Sequence, residues 1–210
     1  MSVPTIGLID YGSGNLRSVG KAALKVGAQI ETLSSPERIQ AMDAIILPGV
    51  GAFGDCALQL RARGLWEPLA DWLEADRPFL GICLGYQLLF ETSEESPGVR
   101  GFGRFAGAVR RFDTPGLKVP QIGWNSLHLK KPASRLWQDV AEGSYVYFVH
   151  SYYPVPVDPG IVSATADYGV PFAAAAEEGA LSGCQFHPEK SQEAGLAMLH
   201  NFVHSVGIRL

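Results

Sequence analysis

Phe79-Leu80-Gly81-Ile82-Cys83-Leu84-Gly85-Tyr86-Gln87 is the stretch from which the remainder of the chain is best read. Apolar residues run into Gly81, a cysteine follows between two glycines, and Tyr86-Gln87-Leu88-Leu89-Phe90 continues with a helical look. Gly-x-Cys-x-Gly is the thiol counterpart of the Gly-x-Ser-x-Gly elbow, in which a nucleophile sits on a strained strand-to-helix turn. Glycines on either side let neighbouring backbone approach without Cβ clashes. The positive end of the following helix would favour thiolate over thiol. The same residues also suit a small buried hydrophobe closing a strand, the common fate of a lone cysteine. Nucleophilic chemistry requires a base elsewhere in the chain.

Upstream, the pattern alternates between strands and helices. Thr5-Ile6-Gly7-Leu8-Ile9 predicts a buried strand ending at Asp10, followed by the glycine turn Tyr11-Gly12-Ser13-Gly14-Asn15. Leu16, Val19, Ala23 and Val26 then recur at helical spacing up to Gly27. A dinucleotide fingerprint is excluded, because Arg17 stands where its third glycine is needed. Gln29 to Leu33 predicts a second strand, Ser35-Pro36 a short helix start, and Ala44 to Leu47 a third strand running into Pro48-Gly49-Val50-Gly51. That glycine loop is a candidate oxyanion hole or a plain strand terminator. Ala57 to Leu73 carries apolar residues at helical intervals, with Gly64 as a possible interruption, and Cys56 reads as packing. Such alternation implies a mostly parallel sheet with helices on both faces, whose sites gather at the carboxyl ends of its strands.

Downstream the texture changes. Glu91 to Gly98 is acidic and turn-rich, a solvated loop or a cover for the cysteine turn. Five short strand candidates follow over 105–112, 124–129, 145–152, 161–166 and 172–177, separated by turns, so antiparallel pairing is expected. Gly183-Cys184-Gln185-Phe186-His187-Pro188-Glu189 is the second chemical stretch. Glu189 lies two residues after His187 across a proline. A carboxylate there could hold one imidazole nitrogen and leave the other to take a proton from a thiol. Ser191 is the expected cap of a closing helix, and Cys184 reads as core. His200 and His204 are spaced for one face of that helix, but no third ligand accompanies them, so no metal is expected.

Composition limits the alternatives. Across 210 residues, 47% hydrophobic and 18% charged, the chain suits one globular domain spanning 1–210. A net charge of −4 with no basic run argues against nucleic acid, and no apolar run is long enough to cross a bilayer. Three widely spaced cysteines and an N-terminus without signal-peptide character point to a reducing cytoplasm.

Taken together, Gly81 to Gln87 and Gln185 to Glu189 resemble the signature pair of the class I, triad-type glutamine amidotransferases over essentially the whole chain. Asp10 to Leu16, Pro48 to Gly54, Val119 to Asn125 and Tyr147 to Tyr152 resemble, within that class, the glutaminase subunits of imidazole glycerol phosphate synthases. Ala52 departs from the histidine often found at its position. The resemblance implies a flavodoxin-like class I glutaminase fold, with a central mostly parallel sheet, flanking helices and additional antiparallel strands in the second half. It implies no cofactor. It assigns Cys83, His187 and Glu189 to catalysis, and Val50, Gly51 and Leu84 to the oxyanion hole. Gln87, Glu95, Ser151 and Tyr152 fall at glutamine-holding positions; Asp10, Asn15, Lys118, Gln121 and Trp124 fall on the side facing a (β/α)8-barrel cyclase partner. The implied reaction releases ammonia from glutamine for histidine biosynthesis. Alternatives are a glutaminase for pyridoxal phosphate, anthranilate or nucleotide synthesis, a silent interaction protein on this fold, and a stand-alone thiol hydrolase.

Overall fold

The computed structural model describes residues 3–12 and 14–206, so Ser13 of the glycine turn and both chain ends lie outside the described residues. In chain order the elements are β1 (Thr5–Ile9), α1 (Leu16–Lys25), β2 (Gln29–Leu33), β3 (Ala44–Gly49), α2 (Phe53–Ala62), α3 (Trp66–Glu74), β4 (Phe79–Cys83) and α4 (Leu84–Gln87). Then come β5 (Phe90–Ser93), β6 (Phe105–Arg111), β7 (Gln121–Ser126), β8 (His128–Leu129), β9 (Tyr145–His150) and β10 (Tyr152–Pro156). The chain finishes with β11 (Val162–Asp167), β12 (Pro171–Glu178), β13 (Leu181–Cys184) and α5 (Gln192–Ser205).

The main sheet runs in the order β2-β1-β3-β4-β13-β12-β11-β8. Pairing is parallel from β2 through β13 and antiparallel from β13 to β8. Central strands are buried throughout, yet they still sort their side chains two ways, because successive residues of a strand face opposite sides. Ile6, Leu8, Ala44, Ile46, Leu80 and Ile82 join the core under α1 and α5. Ile9, Ile45, Leu47 and Phe79 join the core under α2 and α3. The expected α/β architecture is therefore present, with the antiparallel strands in the second half.

The interruption anticipated at Gly64 is present: the 57–73 run is two helices, broken where Gly64 takes φ +66 and its N–H closes onto the Arg61 carbonyl. Three other local expectations are corrected. The helix after Cys83 stops at Gln87 instead of reaching Phe90. The Leu88, Leu89 and Phe90 carbonyls accept instead from the N–H groups of Phe102, Phe105 and Gly103, which draws the chain into the small β10-β6-β5 sheet. Within that sheet β5 and β6 are parallel, an exception to the antiparallel expectation. Ser191 stands at the start of α5 without a side-chain cap bond. Its hydroxyl donates to the His187 carbonyl and accepts from the Tyr147 N–H, so it clamps the 187–191 turn to β9.

Candidate active site

Cys83 closes β4 with φ 55 and ψ −104, a conformation costly for any residue with a Cβ. Its neighbours explain how the turn is held. A Cβ on Gly81 would lie 2.6 Å from the Gly85 carbonyl carbon, and one on Gly85 would lie 1.9 Å from the Leu47 carbonyl oxygen. The elbow is packed backbone against backbone, leaving no space for side chains at either position.

Sheet register then assembles the site. β4 pairs with β3 so that Gly49 lies opposite Cys83, which brings the Val50–Gly51 loop to the nucleophile's edge. On its other side β4 pairs with β13, with Cys184 opposite Ile82, so Gln185 and then His187 follow beside Cys83. All these groups leave the carboxyl ends of parallel strands, where the sheet stops and side chains have room to converge.

His187 Nδ1 donates to Glu189 Oε1 at 2.9 Å, and both side chains are at most 3% exposed. The His187 N–H donates to the Tyr147 carbonyl, so the backbone of the turn is fixed as well as the ring. Burial opposes protonation of His187, but hydrogen bonds and charge from Cys83 and Glu189 overcome it and raise its pKa to about 9. Burial works against ionisation of Glu189 too, yet His187 and Asn15 together hold its carboxyl below the usual carboxylate range. The arrangement is a histidine–carboxylate pair in which Glu189 and the neighbouring Cys83 favour the protonated imidazole.

The other sequence-assigned residues have the following surroundings. Asn15, expected to face a partner, turns inward, and its Nδ2 donates to Glu189 Oε1. Gln121 is 4% exposed and lies against the His150 ring, on the face of β7 opposite to the exposed Ile122 and Trp124. Gln87 is also buried; its Nε2 donates to the Tyr152 carbonyl and to Gln185 Oε1, both at 3.0 Å. Glu95 accepts from the Phe53 N–H at 2.7 Å, and Ser96 Oγ accepts from the Gly54 N–H, so this loop caps α2. Asp10 accepts from the Gly12 N–H, and Tyr168 Oη donates to the exposed Lys118's carbonyl. Leu84 opens α4, Ser151 and Tyr152 are half-buried, and Val50 is exposed.

Two groups went unassigned in the sequence. Gln185 Nε2 lies 3.5 Å from Cys83 Sγ. His150 Nδ1 donates to the Tyr152 carbonyl at 2.8 Å, with Gln121 on its other nitrogen. Gln185 and His150 were each visible only as members of stretches that carry the resemblance, with no role of their own assigned. The other two thiols are inert by environment: burial pushes Cys56 up to about 12 and Cys184 well above the ordinary thiol value. The His200 and His204 rings stack at 3.9 Å, and no group of three possible metal ligands occurs among the described residues. Among those residues no helix is long and apolar enough to cross a membrane.

His150 carries a pH prediction. Burial depresses its pKa to about 4, against the opposing effect of its bond to the Tyr152 carbonyl. Between about pH 6.5 and 4 the unfolded chain therefore binds a proton that the folded chain refuses, and stability falls by up to about 3 kcal/mol from this residue. His187, raised to about 9, acts in the opposite sense: its contribution is full below about pH 6.5 and is lost as pH rises toward 9. Urea unfolding at pH 7 and 4.5 should show a clear loss of stability in the parent protein and a smaller loss in His150→Gln. Equal losses would remove His150 as the cause.

The family profile for class-I glutamine amidotransferases matches residues 7–206. The chain is 47% identical to the imidazole glycerol phosphate synthase subunit HisH of Synechococcus sp. (strain JA-3-3Ab), covering 100% of this chain and 98% of that one. It is 49% identical to the subunit of the same name from Methanothermobacter thermautotrophicus, covering 96% and 98%. Among solved structures, a glutamine amidotransferase superposes with TM-score 0.76 at 18% identity over 99% of this chain and 100% of that one. PurLQS from Thermotoga maritima superposes with TM-score 0.74 at 19% identity over 97% and 99%, a likeness of fold. With its strained cysteine elbow and buried histidine–glutamate pair on this sheet, the chain belongs to the class-I glutamine amidotransferases and, within them, to the family of imidazole glycerol phosphate synthase HisH subunits.

Proposed function

We propose that this chain, as one amidotransferase domain, hydrolyses glutamine and delivers ammonia to a cyclase subunit with a (β/α)8 barrel in the cytoplasm. There the ammonia would be used to form imidazole glycerol phosphate and aminoimidazole carboxamide ribotide in histidine biosynthesis. The observation that carries the reading is the buried His187–Glu189 pair, joined at 2.9 Å and brought beside the elbow cysteine by the pairing of β13 with β4.

In this reading Cys83 Sγ attacks the side-chain amide carbon of glutamine. The carbonyl oxygen becomes an oxyanion held by N–H groups of Leu84 and the Val50–Gly51 region; Leu84 begins a helix, so its N–H has no intrahelical partner. His187 gives its proton to the departing nitrogen, the C–N bond breaks, and ammonia leaves a thioester on Cys83. Water then attacks the thioester, with its proton passing to His187, and glutamate departs. Glu189 keeps Nδ1 protonated and Nε2 directed at the reaction. Gln87, Glu95, Ser151 and Tyr152 would surround the amino-acid end of the substrate. The tie from Glu95 to Phe53 fixes that carboxylate for an α-ammonium group.

Partner docking is proposed for the outward face of the β7–β9 ribbon. Trp124 lies opposite Tyr147 in register and Tyr145 opposite Ser126, so Ile122, Trp124 and Tyr145 share one side, and all three are exposed. Lys118 lies on the loop leading into β7 and Asp10 directly after β1, while Asn15 and Gln121 would act from behind that surface. Gly51, with φ +107 and open space where a Cβ would be, leaves the adjoining peptide free to reorient. A donor lost there would cost about 3 kcal/mol of transition-state stabilisation, or roughly a hundredfold in rate. Glutamine hydrolysis should therefore climb from the isolated subunit, to the subunit with its cyclase, to the complex with the cyclase's nucleotide substrate. A rate already maximal in the isolated subunit would overturn partner control, and no hydrolysis under any condition would overturn the reaction.

A further inference from the structure

The polarity of the amide beside Cys83 is dictated by a main-chain group two residues removed from it in a hydrogen-bonded chain. Gln185 is fully buried, and its backbone N–H is anchored on the Ala174 carbonyl at 2.8 Å. Its side chain lies between Gln87 and Cys83. A side-chain amide can present either its oxygen or its nitrogen, so which end faces the sulfur has to be decided by neighbours. The Tyr152 carbonyl can only accept, so Gln87 must present its nitrogen there. That same nitrogen lies 3.0 Å from the Gln185 side chain, which must answer with oxygen. The other end of Gln185, a donor, is left facing Cys83 Sγ at 3.5 Å. The Tyr152 carbonyl is itself held by His150 Nδ1 at 2.8 Å, so the anchor cannot easily rotate away.

We propose that Gln185 is a positioning residue for the nucleophile: its side-chain N–H, aimed by Gln87 and the Tyr152 carbonyl, fixes Cys83 Sγ beside His187 and favours the thiolate. The inference deepens the glutaminase reading and rests on it for its catalytic consequence. A donor bonds more strongly to a charged sulfur than to a neutral one, so its removal favours the thiol. It also leaves the sulfur freer to leave the rotamer that faces His187. The ionisable groups facing Cys83 are His187 with Glu189 from the turn after β13, Cys184 from β13 and Cys56 from α2. The two other thiols stay protonated at neutral pH, so rapid alkylation there reports Cys83.

The test is the pH dependence of iodoacetamide alkylation of Cys83 in the full chain, mapped by peptide mass, alongside steady-state glutamine hydrolysis in the cyclase complex. Gln185→Met, of similar volume but without a donor, is expected to raise the alkylation midpoint by about one pH unit and to slow alkylation at neutral pH about tenfold. Its kcat should fall with KM nearly unchanged, because the lost bond is to the nucleophile rather than to glutamine. Gln87→Met leaves Gln185 in place but frees it to turn, and is expected to shift the midpoint in the same direction by a smaller amount. A lowered thermal midpoint with an unchanged alkylation profile in Gln185→Met would overturn the proposal and leave a packing role. If Gln185→Met does not fold, an unchanged profile in Gln87→Met overturns it equally. The alkylation readout involves no glutamine, so a shifted midpoint in a protein that hydrolyses none would sustain the positioning role and remove the reaction assigned to it.

Discussion

Cys83→Ala is expected to lower glutamine hydrolysis in the cyclase complex by about five to six orders of magnitude, with little change in stability. Losing one sulfur from a nearly buried side chain leaves a small void, worth about 1 kcal/mol. The strained backbone of the elbow is retained, since alanine carries the same Cβ at φ 55. What disappears is the thiol proposed to form the covalent bond, and Cys56 and Cys184 lie in the two cores with burial raising the pKa of their thiols. Glu189→Gln should fall less, roughly tens- to a thousandfold, because the amide oxygen can still accept from His187 Nδ1 but no longer supports its positive charge. A coupled assay for glutamate on both variants, with unfolding curves as controls, decides the ranking. Equal and complete loss in both, with normal stability, would give Glu189 a role other than orienting His187.

Gly85→Ala is expected to be the most damaging small substitution for the fold, destabilising by more than about 4 kcal/mol, a large share of a typical domain's stability. The new Cβ would lie 1.9 Å from the Leu47 carbonyl oxygen and 2.9 Å from its carbon. Leu47 is in β3, a central strand paired on both sides, so it cannot retreat without breaking the sheet. The elbow cannot retreat either, since Gly81 is itself packed on Gly85. Gly14→Ala serves as the control, because nothing lies within 4 Å of a Cβ there. Urea denaturation should separate the two variants widely. Comparable stabilities would mean that the elbow can shift away from β3, and the close packing would not be what shapes it.

The resemblance at Cys83 and His187 was legible because both depend on short contiguous motifs. The elbow needs small residues at fixed offsets from the nucleophile, and a strand, a turn and a helix start are all local. The same holds for β1 and β2, whose apolar runs and bounding turns match the observed limits. The length of α4 was not legible. Leu88, Leu89 and Phe90 have ample helical character, but their carbonyls accept from a segment more than a dozen residues later, a contact without local trace. Ser191 failed for a related reason: its hydroxyl is claimed by His187 and Tyr147 before it can serve α5.

Asn15, Gln121 and Gln87 show the limit most sharply. Each is a polar residue in a loop, on an edge ribbon or near the nucleophile, and a sequence offers no means to tell which way such an amide turns. By itself the sequence determined the alternation of strands and helices, the sharp turn at Cys83, and the pairing of a histidine with a carboxylate across a proline. Those follow from periodicity, from glycine's missing side chain and from covalent spacing. Only the tertiary structure decided that Asn15 turns onto Glu189, that His150 stays neutral, and that Gln185 presents a donor to the sulfur. These depend on strand register and on which acceptors are buried nearby, and both are set by residues far apart in the chain.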